Sequence, residues 1–139
     1  MSRVFWDTNL FVYLVEGGFR SGRVTALRQR MIERDDELLT SALTLGEVLV
    51  KPLEAGDRNL RQRYEDALTI GTAVLPFDAR AAVHFAEIRQ DRSIRAPDAI
   101  QLACAAAAGT DLFITNDDRL SRKNVRGIHF IQSLDKTVL

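Results

Sequence analysis

Val4-Phe5-Trp6-Asp7-Thr8-Asn9 opens the chain with an unbroken apolar run that stops at an acid. Its counterpart is Leu112-Phe113-Ile114-Thr115-Asn116-Asp117, which reads the same way. Neither run alternates apolar with polar residues, so each predicts a short strand buried on both faces, as in a parallel sheet. In open parallel sheets, sites form beyond the carboxyl ends of the strands. If these two strands are neighbours, Asp7 and Asp117 emerge at the same edge.

Between and around them, helix and strand signals take turns. Leu10 to Val15 forms a dense apolar block closed by Gly17-Gly18 and predicts a short helix. Ser21 is placed to cap a helix reaching about Arg34, with Val24, Leu27, Met31 and Ile32 on one face. Leu38-Leu39-Thr40 predicts a second strand. Thr44 suits an N-cap for Leu45 to Val50, with Glu47 at the capping-box position, and Pro52 and Gly56 break that segment. Asp57 opens a helix to about Thr69, Thr72 to Leu75 predicts a strand, and Asp78 caps a helix to about Gln90. Ala96-Pro97-Asp98 begins a helix that runs to Ala108 and stops at Gly109. Ile128 to Ile131 predicts a last edge strand. Strands separated by helices argue for an α/β sandwich with a mainly parallel sheet.

Composition narrows the function. The chain has 139 residues, 46% hydrophobic and 27% charged. At about 150 residues per domain, residues 1–139 form one domain, long enough to bury a core without disulfides. The 19 basic and 19 acidic residues cancel, so a polyanion would be met by a local basic patch or by bound cations rather than by bulk charge. The lone Cys104, an N-terminus that reaches Asp7 without an apolar region, and the absence of a long apolar run point to a cytoplasmic protein with no membrane partner. Cys104 sits among alanines as a small apolar residue, and Trp6, Phe5, Phe11 and Phe113 belong to the core. Two histidines and one cysteine give no zinc-ligand spacing.

Four carboxylates stand out: Asp7, Glu47, Asp98 and Asp117. Singly, each has an ordinary role as a cap, a capping-box partner or an acid in a helix's first turn. Together they raise each other's pKa and cost stability unless a cation sits among them. Oxygen ligands without histidine or cysteine suit Mg²⁺ or Mn²⁺, and the chemistry that follows is metal-assisted attack of water on a phosphodiester. Arg92 and Arg95 precede Asp98, and Arg119, Arg122, Lys123 and Arg126 follow Asp117, placed to contact phosphate on either side of the cleft.

Four blocks, Val-Phe-Trp-Asp-Thr-Asn at 4–9, Ser-Ala-Leu-Thr-Leu-Gly-Glu at 41–47, Ala-Pro-Asp-Ala-Ile-Gln-Leu-Ala-Cys-Ala at 96–105 and Ile-Thr-Asn-Asp at 114–117, resemble PIN-domain nucleases, and more narrowly the VapC-type toxins of bacterial toxin–antitoxin pairs. The resemblance implies a three-layer α/β/α sandwich and a Mg²⁺- or Mn²⁺-dependent endoribonuclease, with Asp7, Glu47, Asp98 and Asp117 as catalytic metal ligands. Asn9 and Thr115 match polar positions lining the family's site, and Arg95 and Arg119 stand beside it for substrate. It also implies an RNA substrate, a cognate antitoxin and a homodimer. Leu120 departs from the family, where a bulky aromatic often follows the last acid by three residues, and a packing effect is expected there. Two other readings stay open: a catalytically silent protein-binding module, and a Mg²⁺-dependent phosphotransfer domain with Asp7 as nucleophile. The second lacks an acid at position 9 and a lysine after the late strand.

Overall fold

The apolar run at the N-terminus becomes the middle of the sheet. The computed structural model describes residues 1–137. Its strands are β1 (Arg3–Trp6), β2 (Glu37–Ser41), β3 (Thr72–Leu75), β4 (Thr110–Thr115) and β5 (Ile128–Ser133). They lie in the order β3-β2-β1-β4-β5, and every pairing is parallel. Among the described residues the six α-helices are α1 (Thr8–Glu16), α2 (Ser21–Glu33), α3 (Ala42–Ala55), α4 (Arg58–Thr69), α5 (Ala79–Ile88) and α6 (Ala96–Ala108). β1 and β4 are neighbours, with Phe5 opposite Phe113 and Trp6 opposite Ile114, so Asp7 and the residues after Thr115 share one sheet edge as expected.

The pleat divides the core in two. Val4, Trp6, Leu38, Leu112 and Ile114 face α1 to α4, where Phe11, Met31, Val48 and Tyr64 meet them. Phe5, Leu39 and Phe113 face the other way, onto α5 and α6. Phe5 and Phe113 stack at 4.9 Å with their planes 8° apart. The small side chains of α6, Ala99, Ala103 and Ala105 among them, are fully buried and let that helix lie close against the sheet. The result is a helix–sheet–helix sandwich of three layers. Cys104 is buried in the α6 layer, and burial pushes its thiol up to about 11. Leu120, at the position of the family's aromatic, is buried in the same layer.

Local chemistry corrects several sequence expectations. Ser41, not Thr44, caps α3, because β2 runs directly into the helix and the Ser41 hydroxyl reaches the Thr44 amide at 3.4 Å. Pro52 lies inside α3 rather than ending it. Its φ suits a helix, its ring is buried, and the stop comes at Gly56, which is left-handed with φ 64°. Ser21 is the first residue of α2 and makes no cap. Ile32 is exposed while Val24, Leu27 and Met31 are buried, because the helix turns Ile32 away from the sheet. Asp57 and Asp78 do cap α4 and α5. Among the described residues, no helix is long and apolar enough to cross a membrane.

Candidate active site

Asp7, Glu47, Asp98 and Asp117 come from four separate elements to a single cavity of about 530 Å³ at the carboxyl edge of the sheet, and Asp118 adds a fifth carboxylate to its lining. Asp7 leaves the end of β1, caps α1 through the Thr8 amide at 2.8 Å, and accepts the Thr115 hydroxyl at 2.9 Å. The Thr115 hydroxyl in turn accepts the Asp117 amide at 3.1 Å. One buried threonine thus ties the two strand-end acids together. Asp117 accepts the Arg119 amide at 2.9 Å and lies 3.7 Å from the Arg119 guanidinium. Asp98 sits in the first turn of α6, where the helix dipole favours an acid.

Glu47 is not a capping-box residue. It faces solvent at the cavity wall and accepts the Thr8 hydroxyl at 2.8 Å. Behind that contact runs a chain of largely buried hydrogen bonds. Ser41 donates to the Gln101 amide oxygen. The Gln101 amide donates to the Thr8 and Thr44 hydroxyls at 2.9 and 2.8 Å. Thr44 lies 2.9 Å from the Thr40 hydroxyl, which donates to the Trp6 carbonyl. With its acceptor side filled by Gln101, Thr8 is left to point its own proton at Glu47. Gln101 is the residue that sequence reasoning passed over. The signal was there: a lone amide in an alanine-rich apolar helix, three residues after Asp98 and so on the same face.

The electrostatics follow from the crowding. Burial pushes the Asp7 carboxyl up to about 6, and the Asp98 and Glu47 charges add to the rise, against the hydrogen bonds from Thr115 and Thr8 that oppose it. Burial also raises Asp98, reinforced by Asp117 and Glu47 and opposed by Arg95 and Arg119. Asn9, Thr115, Arg95 and Arg119 all line the cavity. Arg122 and Lys123 line an adjoining cavity of about 320 Å³ that shares Asp98, Asp117 and Arg119, but Lys123 is already paired with Asp91 at 2.9 Å. Arg92 lines neither.

A family model described as the PIN domain matches residues 4–125. The chain belongs to the PIN domain family. By sequence, no curated protein matches it. Solved structures that resemble this PIN domain include a chain of VapBC2 from Rickettsia felis bound to a promoter DNA fragment, with a TM-score of 0.75, 15% identity, and 94% of this chain and 98% of that one covered. DNA-bound VapBC from Salmonella typhimurium matches with a TM-score of 0.68 and 20% identity over 96% and 99% of the two chains. VapC20 of Mycobacterium tuberculosis, a sarcin-ricin loop cleaving toxin, matches with 0.56 and 20% over 79% and 86%. At these identities the matches establish the PIN fold.

The donor set fits a hard divalent cation. It offers only oxygens, two of its acids are held above their ordinary pKa by burial and mutual repulsion, and two arginines offset only part of that charge. The four acids ring the cavity rather than clasp one point, and among the described residues no three acid, histidine or cysteine side chains already stand as a metal cage. That spacing suits Mg²⁺ or Mn²⁺, which keep several waters and take only one or two carboxylates directly.

Proposed function

We propose that this PIN domain is a Mg²⁺- or Mn²⁺-dependent endoribonuclease, the toxin of a VapC-type toxin–antitoxin pair. The observation that carries the reading is the convergence of Asp7, Glu47, Asp98 and Asp117 from four separate elements on one cavity. Its likeness in fold to chains of toxin–antitoxin complexes, and to a toxin that cleaves the sarcin-ricin loop, supports the choice of RNA over other phosphodiesters. The same reading gives the chain a cognate antitoxin and a second copy of itself as partners.

The four acids would hold the cation, which when bound polarises a phosphate oxygen and activates the attacking water. The rest is the work of the protein. Thr115 and the Thr8 amide fix the Asp7 carboxylate, and the Thr8 hydroxyl fixes Glu47. Arg95 and Arg119 flank the cavity as phosphate clamps, setting the scissile bond in line with the nucleophile.

The test is cleavage of a structured RNA pool by the purified protein in Mn²⁺ or in EDTA, beside Asp98→Asn. The expected result is cleavage that requires both the metal and Asp98, with a loss of at least about a hundredfold in the variant. Cleavage unaffected by EDTA, or undiminished in Asp98→Asn, would overturn the reading.

A further inference from the structure

The α1–α2 connection carries Gly17-Gly18-Phe19-Arg20-Ser21-Gly22-Arg23, an aromatic set among glycines and arginines. Phe19 is 91% exposed, more than any other large apolar side chain of the described residues. Burial therefore does not account for it. Gly17 and Gly18 hold φ of 87° and 108°, backbone that only glycine adopts freely, and they carry the ring out of the helix line into solvent. Arg20 lies over the ring with its guanidinium carbon 4.9 Å from the centroid. The same Arg20 donates to the Asn116 side chain at 2.7 Å and pairs with Asp135 at 3.3 Å. Asn116 lines the acidic cavity, between Thr115 and Asp117. An open aromatic face is thus fastened, through one arginine, to the rim of the acidic cavity.

We infer that Phe19, backed by Arg20, is a base-stacking platform for the nucleotide of a single-stranded RNA next to the scissile phosphate. The inference rests on the nuclease reading for its ligand. A flat ring stacks on any base, and a cation behind it deepens the attraction without requiring a particular sequence. An RNA held only by its phosphates would be repelled by the four acids. Stacking adds a hold that does not depend on charge, which a chain with zero net charge needs more than a basic one does. The segment's own chemistry favours RNA over a protein helix. Its neighbours are glycine, serine and arginine, and it contains no second apolar side chain to extend a hydrophobic patch.

The experiment uses the full chain with fluorescent single-stranded oligoribonucleotides, and reads both binding and cleavage. Phe19→Ala is expected to weaken binding to an Asp98→Asn background and to raise KM in the active enzyme, each by about tenfold. The melting temperature should not move, because the ring is exposed. Phe19→Tyr should restore both constants, and the indole of Phe19→Trp should lose emission when the oligonucleotide binds. Phe19→Ala that binds and cleaves as the parent does would overturn the platform while leaving the nuclease reading intact. Failure of the parent to cleave, with quenching of Phe19→Trp by RNA preserved, would overturn the nuclease and keep the platform. Unchanged RNA binding together with lost grip on a protein inhibitor would make Phe19 a protein contact and overturn the inference.

Discussion

Asp7 shows how much a single residue can cost when it is placed for chemistry. Its carboxyl is pushed up to about 6 from an ordinary 3.8, so the folded state holds a proton that the unfolded chain releases sooner. Stability is therefore greatest where Asp7 is protonated and falls as pH rises from about 4 to about 6, after which the full penalty stands. Asp7→Asn removes the charge while keeping an oxygen for the Thr8 amide and an amide group for Thr115. In metal-free buffer at neutral pH, Asp7→Asn is expected to gain about 1–3 kcal/mol, near 1.4 for each pKa unit relieved. At pH 4 the gain should vanish. Thermal melts of both proteins across that range check it, and a gain that does not change with pH would mean that the charge is not its source. Gln101 carries the opposite expectation. Gln101→Leu leaves Ser41, Thr8 and Thr44 without their buried partner, for a loss of about 1–3 kcal/mol, and frees Glu47 from its fixed rotamer.

At the level of elements, what could be read from the sequence was whatever is encoded locally. β1 and β4 are apolar runs with sharp polar ends, and α6 has proline at its start and glycine at its end, so their type and the points where they stop were legible, although β4 begins two residues earlier, at Thr110, than its apolar run. The three helix starts and stops that differ were decided by geometry between elements. Ser41 caps α3 only because β2 hands the chain directly to the helix, and Pro52 survives inside because the helix has a buried face to follow. The four acids were legible as residues, since Asp7 and Asp117 follow the apolar runs of β1 and β4 while Glu47 and Asp98 stand among apolar or small residues. The network behind Glu47 was not, because Thr8, Thr40, Ser41, Thr44 and Gln101 come from four elements and meet only in the fold. Phe19 was passed over because an exposed ring has no pattern to announce it. A further element-level expectation concerns Gly127, where the chain turns into β5 with φ 98° and a Cβ would stand 2.7 Å from the Ala106 carbonyl oxygen. Gly127→Ala forces β5 and α6 apart, with an expected cost of about 2–4 kcal/mol by chemical denaturation. Its distance from the cavity makes it a control: the residual folded fraction should cleave normally.

For the molecule as a whole, the net charge of zero conceals an uneven distribution. Three of the four acids sit on segments that leave or follow the carboxyl edge of one sheet, and the fourth opens the helix packed beside it, so that edge is strongly negative. A parallel sheet puts every strand end that can bear a site on one side, and the cation is what makes such a concentration tolerable in the folded state. Binding of the cation is then linked to folding, and Mn²⁺ should raise the melting temperature in proportion to the logarithm of its concentration above Kd. Protons compete for the same oxygens, with Asp7 titrating near 6. The rise at millimolar Mn²⁺ should therefore be several degrees at pH 8 and much smaller at pH 5, and Asp7→Asn should reduce it at pH 8. Ca²⁺ or Mg²⁺ should act in the same direction if charge among the oxygens is the cause. A rise independent of pH, or one retained when Asp7, Glu47, Asp98 and Asp117 are all made amides, would place the ion elsewhere on the surface and remove the reason for gathering four acids at one edge.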